Sequence, residues 1–259
     1  MSMVPVKSHI ANRAHIRSMD EYERLYRRSL ADPEGFWREQ ADLLSWYYPP
    51  QVTFDNDMRE VDFSWFGGGR LNACYNCVDR HLNDRADKVA ILWAGDEPGD
   101  YRAITYRELK HMVCRVANVL RAHNVKEGDR VAVYMPMIPE LAAVMLACAR
   151  IGAVHSVVFA GFSAEALRGR ILDAGAKMVI TANEALRGGK RIALKKTVDD
   201  AVEGLDMVER VLVAMRTETE VPRVDGQAFW PHEEMCKPHS TAPPATTHAE
   251  SPLSTPYPT

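Results

Sequence analysis

Apolar residues recur along this chain in two rhythms, and the change from one to the other divides it. Through the first fifty residues the spacing is helical: Ser18-Met-Asp-Glu21 forms a capping box, and Met19, Tyr22, Leu25, Tyr26 and Leu30 follow at helical spacing. Asp32 and Pro33 supply an N-cap and a first-turn proline for a second helix carrying Phe36, Trp37, Leu44 and Trp46, which Pro49 and Pro50 stop. Residues 51–85 are mixed. Their aromatic and glycine cluster Phe63-Ser-Trp-Phe-Gly-Gly-Gly69 is expected to be a loop whose rings pack on a neighbour and whose glycines permit unusual backbone angles. From residue 88 short continuous apolar runs alternate with amphipathic segments: Val89 to Trp93, Val131 to Tyr134, Val154 to Ala160, Met178 to Thr181 and Val208 to Val213. Such runs suit strands buried on both faces. Between them Thr105-Tyr-Arg-Glu108 opens a helix with Leu109, Met112, Val113, Val116 and Leu120 on one face; Pro139 to Arg150 and Ser163 to Asp173 form two more, the last closed by Gly175. The predicted fold class is α/β, an N-terminal helical segment followed by a mainly parallel sheet with flanking helices.

Composition changes this picture at one place. From Cys236 to Thr259 there are six Pro and eight Ser or Thr in twenty-four residues, with only Lys237 and Glu250 charged. A segment of that kind buries no core of its own and is expected to be disordered, either as a flexible tail or as a stretch whose coding frame has been lost. The expected organisation is therefore residues 1–80, residues 81–230, and a Pro/Ser/Thr-rich tail over 231–259. The longest apolar stretches, such as Leu141 to Cys148, fall well short of the ~20 residues that cross a bilayer, and Met1 to Arg17 has no apolar core of a signal peptide. No membrane partner is expected. A formal charge of -3 supplies no general field for nucleic acid, though local clusters can still bind small anions. Five cysteines, three of them in apolar or helical patterns, argue against a disulfide framework and for a reducing compartment, the cytoplasm by default. Cys74-Tyr-Asn-Cys77 has the gap of a redox or zinc pair, but no second Cys or His pair stands at ligand spacing, so two ordinary thiols are the simpler reading and no metal site is expected.

Candidate chemistry is sparse. Gly161-Phe-Ser163 follows an apolar strand and opens a helix at the edge of the sheet where α/β proteins bind ligands; Ser163 could equally be a plain N-cap bonding its own helix. Arg187-Gly-Gly-Lys-Arg-Ile-Ala-Leu-Lys-Lys196 holds five basic residues in ten. Its glycine pair would let backbone approach an anion flanked by Arg187, Lys190 and Arg191, and a phosphate is the natural partner; a solvated basic helix end is the alternative. His155, inside an apolar run, reads as a buried structural histidine, and His81, beside Asp79 and Arg80, as a polar helix position; neither has a nucleophile near it in sequence. No catalytic residue is assigned. A dinucleotide-binding oxidoreductase fits the alternation of strands and helices but lacks the Gly-x-Gly-x-x-Gly fingerprint.

Several long motifs nevertheless resemble one family. Trp65-Phe-Gly-Gly-Gly-Arg-Leu-Asn72, Tyr75-Asn-Cys-Val-Asp-Arg-His-Leu82, Tyr134-Met-Pro-Met-Ile-Pro-Glu140, the run from Met145 to Ser163, and Arg187-Gly-Gly-Lys190 are similar, in this order, to the N-terminal part of acetyl-CoA synthetases, members of the acyl-adenylate-forming (AMP-binding) superfamily. The resemblance runs from about Met19 to about Arg216. It implies that the sheet is the incomplete first part of the large AMP-binding domain. It also implies a reaction in which acetate and ATP, with magnesium, form acetyl-adenylate and the acetyl group passes to the CoA thiol.

By the same resemblance Arg187 and Lys190 would meet the phosphorylated nucleotide end of CoA, Gly188 and Gly189 would allow close backbone approach, and Gly161 would leave room for the CoA arm. Lys195 and Lys196 match the pattern too, as a basic helix surface. The sequence departs from the family where a Ser/Thr/Gly-rich phosphate loop ending in Pro-Lys-Gly is expected shortly after residue 230; the proline-rich stretch stands there instead. The sites for ATP and magnesium, the acetate pocket and a C-terminal domain with the catalytic lysine are not among these residues. The expectation is a truncated, inactive version of an acetate-activating enzyme, with a non-catalytic fragment that binds CoA or associates with full-length enzyme as the alternative.

Overall fold

The structure is a computed structural model; it describes residues 7–57, 59–96, 98–220, 227–230 and 241–255, with backbone alone at 227–230. The chain forms two compact units, one made of residues 1–70 with 248–250 and the other of 71–247 with 251–259.

The first unit begins with α1 (Ser8–Ala11), α2 (Met19–Ala31) and α3 (Pro33–Ala41). The Ser18 hydroxyl accepts the Glu21 amide at 3.2 Å and the Asp32 carboxylate accepts the Gly35 amide at 3.0 Å, so both caps read from the sequence are made. The α3 helix is shorter than expected: Leu44 and Trp46 lie beyond it, and the Trp46 indole donates to the Ala41 carbonyl at 2.9 Å. The aromatic cluster is not a loop. It is β2 (Asp62–Gly67), antiparallel to β1 (Val52–Asp57) in register from Val52 opposite Gly67 to Asp57 opposite Asp62. Aromatic residues favour a pleated, half-buried surface, and here Trp65 packs on Phe54 and Trp37 with ring centroids 4.2 and 5.7 Å away. Gly69 is required by close packing: a Cβ there would lie 2.7 Å from the Trp46 ring and 2.8 Å from the Phe66 carbonyl. The two-residue strand β3 (Arg70–Leu71) carries the chain out of this unit.

In the second unit, α4 (Ala73–Cys77), a 3-10 turn (Asp79–His81) and α5 (Leu82–Arg85) precede a hairpin of β4 (Val89–Ala94) and β5 (Tyr101–Thr105). The sequence groups Val89 to Trp93 with the doubly buried strands. The structure corrects this, because β4 pairs antiparallel with β5 and leaves Val89 and Leu92 exposed. Next come α6 (Tyr106–Ala122), β6 (Arg130–Tyr134), α7 (Pro139–Ile151), β7 (Val154–Val157), α8 (Ala164–Ala174), β8 (Met178–Ala182), β9 (Ala185–Arg187), β10 (Lys190–Ile192), α9 (Leu194–Val202), β11 (Arg210–Ala214), β12 (Gln227–Trp230) and β13 (Thr247–His248). Among the described residues β12, β11, β8, β6 and β7 lie side by side in that order, every adjacent pair parallel.

Alternation along the strands explains why the runs are continuously apolar. Val131, Val133, Met178, Ile180 and Leu212 face one core with α6 and α7, while Ala132, Tyr134, Val179, Val211 and Val213 face a second core with Leu167 and Ile171 of α8 and Leu194 and Val198 of α9. The helix ends follow the expected chemistry: Thr105 and Glu108 make the reciprocal capping box of α6, and Gly152 and Gly175 end α7 and α8 in the left-handed conformation.

Residues 241–255 are not the structureless tail that their composition suggests, whereas 231–240 and 256–259 lie outside the described residues. The Asn72 side-chain amide donates to the carbonyls of Ala149, Arg150 and Ala245, and the Ala245 amide donates to the Arg150 carbonyl. Further on, the His155 amide donates to Leu253 and the His155 carbonyl accepts from Thr255, the beginning of a parallel ladder on β7. A proline-rich stretch needs no core of its own when a folded surface offers it donors and acceptors.

The buried charge beneath this stretch is Arg150, 2% exposed. Its guanidinium makes two bonds to Asp79, at 2.7 and 3.0 Å, and a third to the Ala242 carbonyl at 2.5 Å; Lys110 adds a second cation 2.7 Å from Asp79. Burial by itself pushes the Asp79 carboxyl up, but the bonds and charges of Arg150 and Lys110 outweigh it and hold the carboxyl below its ordinary value. A lowered folded value means that Asp79 adds stability above the ordinary carboxylate range and that this contribution is lost as pH falls through the folded value. Asp79→Ala strands two cations and is expected to cost about 3–5 kcal/mol in urea unfolding. Asp79→Asn should show a shallower loss of stability than wild type as pH is lowered from about 4 downward.

Candidate functional site

The chain leaves β6 for its neighbour β7 and then crosses back to β8 on the other side of β6. That reversal puts a topological switch point beside the carboxyl end of β6, the place where open α/β sheets form ligand crevices. The segments at this edge are those after β6, β7, β8 and β11, together with the β9–β10 hairpin that directly follows β8.

Two polar side chains after β8 organise the edge. The Asn183 carbonyl oxygen accepts the amides of Arg216 and Thr217, and its NH2 group donates to Thr217 and Thr219. Glu184 accepts the hydroxyls of Thr217 and Thr219 at 2.7 and 2.9 Å, with Arg191 3.4 Å away. Those hydroxyl bonds lead the causes that hold the Glu184 carboxyl below its ordinary value. Arg216 in turn stacks 5.0 Å from the Trp93 ring and pairs with Asp100 at 2.8 Å, while the Trp93 indole donates to the Met137 carbonyl at 2.7 Å. The segment after β11 is thus tied to the ends of β6, β8 and β4.

Of the residues singled out in the sequence, Arg187 and Lys190 face one another across the hairpin, which makes them a cross-strand pair on one face. Both are exposed, and among the described residues neither forms an ion pair. Gly188 and Gly189 have φ of +56° and +72°, the pair of positive angles that a two-residue type I′ turn requires. This turn explains both glycines without a ligand, and the Gly188 amide already donates to the Asp96 carboxylate at 2.7 Å. Arg191, one residue on, points into the Glu184 and Thr219 network instead of joining Arg187 and Lys190.

Gly161 sits in the turn after β7, where its amide donates to the Phe159 carbonyl at 2.8 Å. A Cβ on Gly161 would come within 2.6 Å of the Phe159 ring, which also meets the Arg187 guanidinium at 5.9 Å and the Phe162 ring edge-on at 5.9 Å. The fold therefore brings Gly161, Phe159 and Arg187 together. Phe159, 55% exposed, is the residue that the sequence reading missed; it looked like one more apolar member of the run Val154 to Ala160, although the strand ends at Val157. Ser163 is the N-cap of α8 and accepts the Ala166 amide at 3.3 Å.

Lys195 is not a surface residue: it is 1% exposed and bonds Asp199 at 2.5 Å, whereas Lys196 is exposed and pairs with Asp200. Cys74 and Cys77 are free thiols on α4; burial pushes Cys74 up to about 12, which keeps it protonated. His155 is buried, its Nδ1 has no partner among the described residues, and burial lowers its basicity. Among the described residues no group of three His, Cys, Asp or Glu is placed to hold a metal ion, and no helix is long and apolar enough to cross a membrane.

A parallel sheet wound on both faces, with a basic hairpin and an exposed aromatic at its carboxyl edge, defines a doubly wound α/β fold, and comparison with known families makes this specific. Residues 78–257 match the family model described as AMP-binding enzyme, so the chain belongs to that family. Residues 22–77 match the acetyl-coenzyme A synthetase N-terminus. The chain is 49% identical over 254 residues to acetyl-coenzyme A synthetase 2 of Pseudomonas aeruginosa, covering 98% of this chain and 39% of that protein. It is 50% identical over 250 residues to acetyl-coenzyme A synthetase of Halorhodospira halophila, covering 96% and 39%. Among solved structures it resembles acetoacetyl-CoA synthetase from Streptomyces lividans, with a TM-score of 0.81 at 25% identity over 95% of this chain and 38% of that one. The chain thus spans about two fifths of the length of these relatives. The family match runs through the proline-rich stretch 241–255, which corrects the reading of that stretch as sequence outside the family pattern.

The turn geometry is open to a direct check. Gly188→Ala or Gly189→Ala places a Cβ at a left-handed position and should cost about 1–2 kcal/mol in urea unfolding, although nothing lies within 4 Å of either Cβ. The control Gly169→Ala, in α8 with equally open surroundings, should be neutral or mildly stabilising.

Proposed function

We propose that this chain supplies the N-terminal part of an acetate-activating, AMP-forming CoA ligase, and that within its 259 residues the surface formed by Arg187, Lys190 and Phe159 receives the phosphorylated nucleotide end of CoA. The observation that carries the second half is the cross-strand pairing of Arg187 with Lys190 next to an exposed ring. Two cations on one face suit a phosphate ester, and an exposed aromatic beside a guanidinium suits a flat base. Gly161 keeps a side chain away from that ring. The cytoplasm, where free thiols persist, is the compartment that fits this role.

Catalysis is assigned to no residue here. Activation of acetate develops charge on a transferring phosphoryl group, and a glycine-rich cradle with a lysine is the usual means of holding it. These 259 residues contain no Ser/Thr/Gly-rich loop ending in Pro-Lys-Gly, and ATP and magnesium are assigned no side chain among them. The chain taken alone is therefore read as a CoA-recognising part that does not turn over.

Two measurements test this. Acetate-dependent exchange of pyrophosphate into ATP by the purified chain should stay at the level of a heat-treated control; exchange above it overturns the non-catalytic reading. Titration calorimetry with CoA should give weak binding that Arg187→Ala or Lys190→Ala each reduces by about two- to fivefold, the range for an exposed charge pair. Absence of heat at millimolar CoA would sink the binding reading.

A further inference from the structure

Among the described residues the Gly188 amide is the one backbone donor of the basic hairpin that meets a charged partner, and that partner is an anion from another element. Asp96 lies just beyond β4, its carboxylate 2.7 Å from the Gly188 nitrogen, and it is exposed. No ion pair joins it to Arg187 or Lys190, whose charges are left free among the described residues. Its position is braced from both sides. The Gly95 amide donates to the Asp100 carbonyl at 2.6 Å, and the Asp100 carboxylate pairs with Arg216. Gly95 is the residue that permits this: a Cβ there would fall 2.2 Å from Asp100 Oδ2.

We propose that Asp96 is a built-in competitor for the phosphate surface and sets the strength of its binding. This rests on the reading of Arg187 and Lys190 as phosphate ligands. A carboxylate and a phosphate ester ask the same thing of a backbone amide, and two anions cannot share one N–H without repulsion. A phosphate bound by Arg187 and Lys190 either displaces Asp96 from Gly188 or forgoes that donor. In both cases the acidic side chain weakens binding and favours a ligand with further contacts, such as a ring for Phe159, over a bare phosphate.

The test titrates CoA, and separately inorganic phosphate, into wild type, Asp96→Asn, Asp96→Ala and Arg187→Ala, and follows amide exchange at Gly188 by NMR. Because Asp96 is exposed, the variants should keep the wild-type far-UV spectrum. Asp96→Ala should bind CoA about two- to fivefold more tightly than wild type, the range for a single exposed charge, with Asp96→Asn between them. Gly188 exchange should accelerate in Asp96→Ala without ligand. Binding that Arg187→Ala weakens but Asp96→Ala leaves unchanged overturns the competitor role while sparing the phosphate surface. Unchanged Gly188 exchange overturns it as well. No binding of CoA to any of the four proteins overturns the phosphate surface itself, and the competitor with it.

Discussion

A single buried arginine decides how the second unit is assembled. Arg150 ends the apolar helix α7 inside the fold, where an unpaired guanidinium would be strongly unfavourable. Its donors are met by Asp79 from the 3-10 turn, by the Ala242 carbonyl, and by the Cys74 sulfur at 3.5 Å. Three segments distant in sequence must therefore be in place together. Asn72 applies the same constraint from the other side, holding the carbonyls that end α7 and the Ala245 carbonyl at once. Residues 241–245 are thus tied to the interior through their backbone carbonyls and amides, although of the five only Ala242 is itself buried.

The carboxyl edge of the sheet is arranged by the same economy. Asn183 bonds the segment after β11 through both its carbonyl oxygen and its NH2 group, Glu184 accepts two hydroxyls from that segment on Oε2, and Arg216 carries it to Trp93 and Asp100. A polar network whose members are satisfied makes a rigid platform. Beside it, Arg187 and Lys190 form no ion pair among the described residues while Arg191 is engaged, although the three stand within five residues of sequence. The two-residue turn fixes the register of the pair, whereas the exposed Arg187 and Lys190 side chains would still have to be ordered by anything they bind.

The glycines at this edge do different jobs. Gly188 and Gly189 give the hairpin its handedness through positive φ, whereas Gly161 and Gly95 make room for a side chain, Phe159 in one case and Asp100 in the other. One type of residue in one neighbourhood thus answers either to backbone geometry or to packing.

The sequence by itself located β6, β7, β8 and β11 of the parallel sheet and most of the helices around them, but not the β4–β5 and β9–β10 hairpins. Continuous apolar runs mark strands with a helix layer on each face, and the caps at Ser18, Asp32, Thr105 and Ser163 are local, needing only three or four neighbouring residues. It also marked Arg187 and Lys190 as basic residues around a glycine pair, but not the two-residue hairpin that pairs them across its strands, which replaces the helix end offered as the alternative. What it left open depended on contacts between distant residues. Whether Phe63 to Gly67 is loop or strand was settled by pairing with Val52 to Asp57; whether Lys195 is surface or core, by the packing of α9 on the sheet. The proline-rich stretch reads as structureless because composition registers only what a segment can bury. Its order comes from donors and acceptors on Asn72, Arg150 and His155, which only the tertiary structure brings within reach.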